Sequence, residues 1–226
     1  MPRVGRFMMS IAPEARPFIL LCLLIVVISV LAGGIVWVLP AMIPLLFVLY
    51  FFRDPHRVPP AGEGLIIAPA DGRVVEIREV DDVEFPGGRA RRVSIFLSIF
   101  NVHVNRAPVA AAVSNIRYSR GRFRAAFHGK ASEENERNRM DLHTSYGPLA
   151  VTQIAGAIAR RIVCDLAVGD RVKAGDRMGL IRFGSRVDLF LPLAADLRVK
   201  KGQQVRSSAT VMASMADSAA GDRHVA

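Results

Sequence analysis

The sequence predicts a mainly β fold of the α+β class: a barrel-sandwich-like β domain that follows an N-terminal membrane helical segment. Three observations predict it. No residue between Pro17 and Phe52 is charged. Beyond Gly64, short β-branched and apolar runs alternate with Gly, Pro and Asp turn signals. Two of these segments, Ala68–Ile77 and Val168–Ile181, echo each other like two halves of one sandwich.

Residues 1–16 form a basic lead. The uncharged run, residues 17–52, is longer than the roughly 20 residues one spanning helix needs. Gly33-Gly34 divides it, and Pro40 and Pro44 interrupt its second half, so two short helices or a re-entrant hairpin fit better than one helix. Arg3, Arg6 and Arg16 precede the run, and Arg53, His56 and Arg57 follow it. Positive residues on both sides suit a hairpin with both ends on the cytoplasmic face of the cell membrane. A signal peptide is the competing reading, but the run is too long for its apolar region and no small-residue cleavage site precedes the polar domain.

Residues 53–63 read as a polar, Pro-rich linker, and residues 64–206 as a β-rich domain. Leu65-Ile66-Ile67 and Val74-Val75-Glu76-Ile77 flank a turn at Pro69–Gly72, and Pro86-Gly87-Gly88 marks another. Val93–Phe100 is nearly all apolar and reads as a buried strand. Val109–Val113 and Leu149–Ile154 read similarly, whereas Ile158–Cys164 fits either helix or strand. The polar stretch Gly129–Arg139 reads as a loop or short helix. Residues 186–193 form a last clear strand, with a possible short one in Val199–Val205. Residues 207–226 are small and polar, the composition of a mobile tail.

The 226 residues carry 30 Lys+Arg against 20 Asp+Glu, a formal charge of +10. That balance favours an acidic partner, such as anionic lipid. Nucleic acid is disfavoured, because no helix-turn-helix, zinc-ligand or RNP-type pattern accompanies the charge. Cys22 and Cys164 have neither CxxC nor metal spacing and read as packing residues. No metal cluster is expected.

Gly184-Ser185 carries the chemistry. A serine hydroxyl can attack the carbonyl before it and move the acyl group from nitrogen to oxygen. Elimination from the resulting ester leaves dehydroalanine at a new N-terminus, and hydrolysis converts this to a pyruvoyl group and ammonia. Glycine at 184 lets the attacking oxygen approach and permits strained backbone. A base must take the serine proton, and a donor must stabilise the oxyanion. The resulting keto group forms an imine with a substrate amine and withdraws electrons, as pyridoxal phosphate does, which suits decarboxylation of an α-amino acid head group.

Five motifs occur in order: Phe51-Phe52-Arg53-Asp54-Pro55, Ala68-Pro69-Ala70-Asp71-Gly72, Asn101-Val102-His103-Val104-Asn105-Arg106-Ala107-Pro108, Glu134–Asn138 and Phe183-Gly184-Ser185. On these the chain resembles the phosphatidylserine decarboxylases of the short bacterial and archaeal type, over nearly its whole length. The resemblance implies a proenzyme that cuts itself between 184 and 185, a pyruvoyl cofactor derived from Ser185, and conversion of phosphatidylserine to phosphatidylethanolamine. The fragments 1–184 and 185–226 would remain together as a heterodimer. By motif, Asp71 matches the acid that assists self-cleavage and His103 a histidine of the site. Long-form members have a second histidine where this chain has Arg106. One histidine then serves both stages, or another such as His128 contributes.

Each candidate also has an ordinary reading. Asp71 could be a turn carboxylate, and His103 a satisfied core histidine. Asn101 and Asn105, at period-two spacing around His103, suggest one polar pocket wall. Arg106 fits a lipid phosphate or carboxylate, or a plain surface position. Asp188 could orient the site or simply belong to its strand. The alternative function is a non-enzymatic, membrane-anchored barrel-sandwich adaptor of the membrane-fusion type. It gives Gly184-Ser185 no role, and the long heptad helices it needs are missing between residues 78 and 167. A biotinyl or lipoyl carrier would need an exposed hairpin lysine, for which Lys130 is poorly placed.

Overall fold

A computed structural model of the chain describes residues 9–33, 35–121, 135–156, 161–182 and 185–216. It divides into two units, one up to His56 and one from Arg57 onward.

The first unit is a helical hairpin closed by a two-stranded ribbon. Strand β1 (Met9–Ile11) leads through a 3-10 turn (Pro13–Ala15) into helix α1 (Arg16–Gly33), and helix α2 (Ile35–Phe51) runs into β2 (Arg53–Pro55). β1 and β2 pair antiparallel, with Ser10 opposite Asp54, so the chain enters and leaves the hairpin at one end. α2 buries Ala41, Leu45, Val48 and Phe51, a stripe of helical period, and it packs along α1. The helix continues through Pro40 and Pro44, where the sequence suggested an interruption. The prolines remove two backbone donors, and the packing of that stripe on α1 holds the helix together across them. At the exit, the Arg53 guanidinium lies 3.8 Å from the Tyr50 ring centroid and donates to the Tyr50 carbonyl at 2.6 Å. The stretch Pro13–Ala32 is long and apolar enough to cross a membrane, and α2 is shorter.

The second unit is mainly β, as expected. Its strands are β3 (Leu65–Ile67), β4 (Gly72–Asp81), β5 (Arg89–Leu97), β6 (Val104–Arg106), β7 (Ala111–Ser119), β8 (Arg137–Thr144), β9 (Gly147–Ala155), β10 (Ile162–Cys164), β11 (Arg171–Val172), β12 (Arg177–Ile181), β13 (Ser185–Leu191), β14 (Asp196–Leu197), β15 (Gln204–Val205) and β16 (Val211–Ser214). An eight-stranded antiparallel sheet runs in the order β11-β7-β8-β9-β13-β5-β4-β15. Two three-stranded sheets, β10-β12-β6 and β14-β16-β3, complete the unit.

Alternation explains the core. Val187, Leu189 and Leu191 of β13 point the same way as Val93, Ile95 and Leu97 of β5 and Leu149, Val151 and Ala155 of β9, and all are buried in one cluster. Arg186, Asp188 and Phe190 take the opposite face of β13. Gly72 opens β4 where the backbones of β4 and β5 nearly touch. A Cβ there would stand 2.2 Å from the Phe96 carbonyl oxygen, so no other residue fits.

Three boundaries differ from the expectation. The strand expected over residues 93–100 stops at Leu97, because Ser98–Asn101 forms a turn: the Asn101 amide donates to the Ser98 carbonyl at 2.9 Å, and the Asn101 side chain accepts from the Ser98 N–H at 2.9 Å. The end of the polar stretch 129–139 is strand, since β8 begins at Arg137. The tail expected from residue 207 includes β16, which pairs with β3 and β14 and buries Met212 and Ala213 completely. Small residues there serve close packing rather than mobility.

Candidate active site

Ser185 is the first residue of β13 and faces the core side of the sheet, between Leu97 of β5 and Ala155 of β9. It is fully buried, and its hydroxyl has no hydrogen-bond partner among the described residues. A buried hydroxyl without a partner costs on the order of 1–3 kcal/mol and calls for a functional explanation. Phe183 and Gly184, as well as His128 and Glu134, lie outside the described residues.

His103 is tied to β5 through the chain and to β12 through its backbone carbonyl. The chain turns from Leu97, the cross-strand partner of Ser185, through Ser98–Asn101 into His103. On the other side the His103 carbonyl accepts from the Ile181 N–H at 3.4 Å, at the end of the strand that leads to Ser185. The imidazole is fully buried, and its Nδ1 lies 2.9 Å from the Asn101 carbonyl oxygen. A carbonyl only accepts, so Nδ1 carries the proton and Nε2 keeps the lone pair that a general base uses.

Beside them runs a ladder of buried amides. Asn138 Nδ2 donates to Gln153 Oε1 at 3.2 Å, and Gln153 Nε2 donates to Asn105 Oδ1 at 2.9 Å. The carbonyl of Val163, 3.4 Å from Gln153 Nε2, fixes which end of that amide is the donor. Asn105 is therefore held with its oxygen toward Gln153 and its NH2 turned away. That NH2 is buried with no hydrogen-bond partner among the described residues. Gln153 sits opposite Val187, two residues along β9 from the partner of Ser185. Asn105 Nδ2 and Ser185 Oγ are thus both buried without a hydrogen-bond partner among the described residues, and Gln153 ties the Asn105 side chain to β9, the strand beside Ser185.

Asp71 has its own set of partners. Its carboxylate forms a bidentate ion pair with Arg57 and accepts from the Ser207 N–H at 2.8 Å, while Arg57 also reaches the Ser207 carbonyl at 2.9 Å. Register places Asp71 across β5 from Ser185, since Arg73 opposes Phe96 and Ser185 opposes Leu97. Two strand spacings amount to about 10 Å of backbone. Asp71 thus lies at the start of the strand across β5 from Ser185, with Arg57 and the Ser207 N–H on its carboxylate. Ser208, next to Ser207, holds φ at 60°, an uncommon conformation for a non-glycine residue and one stored here beside the Asp71 cluster.

The expected wall of Asn101 and Asn105 divides in two. Asn105 faces the buried region, and Asn101 closes its turn. Arg106 Nη1 donates to the Gly175 carbonyl at 2.8 Å, which braces β6 against the turn before β12. The sequence assigns Gln153 no site role, marks Asn138 only as the end of a motif, and marks Arg57 only as a positive flank of the apolar run. For Gln153 the signal available is a glutamine at a core-facing position of the apolar run 149–155.

The opposite face of the large sheet is highly charged. Arg186 and Asp188 are each 1% exposed, and a groove of about 630 Å³ beside them is lined by Arg92, Arg139, Thr152, Asp188 and Phe190 among others. It contains neither Ser185, His103 nor Asn105. Burial pushes the Glu76 carboxyl up, but hydrogen bonds from Arg92 and Arg186 outweigh it and hold the group below the usual carboxylate range.

The family model for phosphatidylserine decarboxylase matches residues 45–213. Among relatives named phosphatidylserine decarboxylase proenzyme, that of Polynucleobacter asymbioticus is 44% identical over 203 residues, 90% of this chain and 94% of its own. The Salinibacter ruber protein is 49% identical over 80% of this chain and 86% of its own, and that of Symbiobacterium thermophilum is 46% identical over 89% and 94%. With the match running from the last turns of α2 through the strands that surround Ser185, the chain belongs to the phosphatidylserine decarboxylase family.

Proposed function

We propose that this chain is a self-processing proenzyme that decarboxylates phosphatidylserine to phosphatidylethanolamine, and that Ser185 becomes its pyruvoyl group. The carrying observation is the buried, unsatisfied Ser185 hydroxyl, on a strand whose neighbour β9 holds the Gln153–Asn105 ladder. His103 Nε2 takes the hydroxyl proton. Oγ then attacks the Gly184 carbonyl carbon, the C–N bond breaks, and the proton goes to the departing nitrogen. Loss of the Cα proton expels the Gly184 carboxylate from Cβ. One water is consumed, and the serine nitrogen leaves as ammonia. The Asn105 NH2 is the donor available for the oxygen that gains charge.

The residues present fit the mature group: Ser185 is fully buried, its hydroxyl meets no competing hydrogen bond among the described residues, and the Asn105 NH2 is a buried donor without a partner there. Once formed, the group supplies an electrophilic carbonyl that withdraws electrons from the carbon losing carbon dioxide. Around it, Asn105 orients, Leu97 and Ala155 exclude water, and His103 holds or delivers a proton at Nε2.

The β domain we read as barrel-sandwich-like, and the α1–α2 hairpin as a membrane anchor that holds the site at the cytoplasmic surface, where the anionic lipid lies. The overall charge of +10 favours such a surface. Fragments 1–184 and 185–226 would stay paired as a heterodimer, because β13 is hydrogen-bonded along both edges, to β5 and β9.

A carbonyl reagent tests the proposal. Borohydride or hydroxylamine applied to processed enzyme should abolish decarboxylation of phosphatidylserine vesicles, because each consumes a ketone. Activity unchanged after treatment would rule out a keto prosthetic group.

A further inference from the structure

Arg186 follows the serine directly and is almost completely enclosed, at 1% exposure. Its guanidinium makes three hydrogen bonds: Nε to Asp188 Oδ1 at 2.7 Å, Nη2 to Glu76 Oε2 at 2.9 Å, and Nη2 to Ser94 Oγ at 2.5 Å. Arg92 completes the cluster, donating to the same Glu76 oxygen at 2.9 Å and lying 3.8 Å from Asp188 Oδ2. Arg78 also lies 3.6 Å from Glu76, so three cations surround two carboxylates on the face of the sheet away from Ser185. Such a buried network is weak evidence for stability, since a well-packed apolar cluster often does as well, but networks of this kind can fix register. A slip of β13 by one residue would turn Arg186 into the apolar core.

The need for that fixation arises at the cut. In the uncut chain, residue 185 is bonded covalently to 184 as well as to 186. After the cut it is a chain end, and chain ends fray unless tied down. Conversion also removes its backbone nitrogen, so the new terminus loses a ladder donor. Arg186 is the first side chain beyond it. Glu76 and Ser94 belong to the large fragment, so the network ties the two fragments together next to the reacting carbonyl.

We infer that the Arg186–Glu76–Asp188–Arg92 network locks the new terminus of the small fragment in register, which makes Arg186 a positioning residue for decarboxylation and not for self-cleavage. This rests on the cut between 184 and 185 proposed above. Its distinguishing mark is a split between the two reactions, which a merely structural role would impair together.

The experiment compares Arg186→Gln and Glu76→Gln with the unaltered full chain in phospholipid vesicles. Two quantities are read: the half-time of precursor conversion on a denaturing gel, and kcat per processed molecule. Conversion should stay within about 3-fold, while kcat falls about 10- to 100-fold in Arg186→Gln and less in Glu76→Gln, with KM little changed, as misplacing a reacting group by an ångström does. Equal loss of both rates, or full activity per processed molecule, would overturn the lock. Should Arg186→Gln fail to fold, Glu76→Gln decides, because Glu76 is partly exposed and its replacement is isosteric. An unaltered chain that is active yet uncut would sink the cleavage site itself, a separate outcome visible on the same gel.

Discussion

Ser185→Ala should leave the chain as one uncut polypeptide without measurable decarboxylation. The substitution removes the only atom that can start the acyl shift, so the effect is a loss of both reactions and not a slowing of one. The fold should survive intact. Ser185 is fully buried and its hydroxyl makes no hydrogen bond among the described residues, so alanine forfeits no partner and relieves a desolvated polar group. Stability should be unchanged or rise by up to about 1 kcal/mol. Thermal unfolding of the variant beside the precursor checks this, and a gel reports processing. A variant that folds normally and is still cut would remove Ser185 from the mechanism.

His103→Gln is expected to slow self-cleavage by about 10²- to 10⁴-fold, the range a positioned general base contributes. Glutamine approximates the size of imidazole and can still donate toward the Asn101 carbonyl, but it brings no basic nitrogen. Stability should fall by only about 1 kcal/mol, the worth of one hydrogen bond. The measurement is the half-time of precursor conversion on synthesis of the chain, with folding monitored in parallel. Conversion at the unaltered rate would move the base elsewhere; His128, outside the described residues, is the next histidine to replace.

What the sequence revealed and what it hid follow from the range of the interactions. Alternation and turn chemistry are local, so the mainly β character, the division of the helical run near Gly33-Gly34, and strands at 65–67, 74–77 and 149–154 were legible. Errors arose where one side chain redirected the backbone. Val93–Phe100 looks continuous by composition, yet the Asn101 side chain closes a turn that ends the strand at Leu97. Ser185 was legible as a reactive residue through its Gly-Ser context and the accompanying motifs. Its surroundings were not, because they depend on register. Gln153 meets Asn105 over 48 positions of sequence, and Arg186 meets Glu76 over 110. Nothing local marks either pair. Arg186 and Asp188 have the alternation of an ordinary solvent-facing edge, and they become buried only because β4, β5 and the groove wall surround them. Arg57 fell within the stretch taken as a linker, and only the fold reveals it as the ion-pair partner of Asp71.

The intact mass of active, purified protein tests the central claim most directly. The account predicts two species, residues 1–184 and residues 185–226, the second lighter by one ammonia than a fragment that begins with serine. An active sample that returned one uncut mass, or a small fragment still bearing its serine amine, would contradict it.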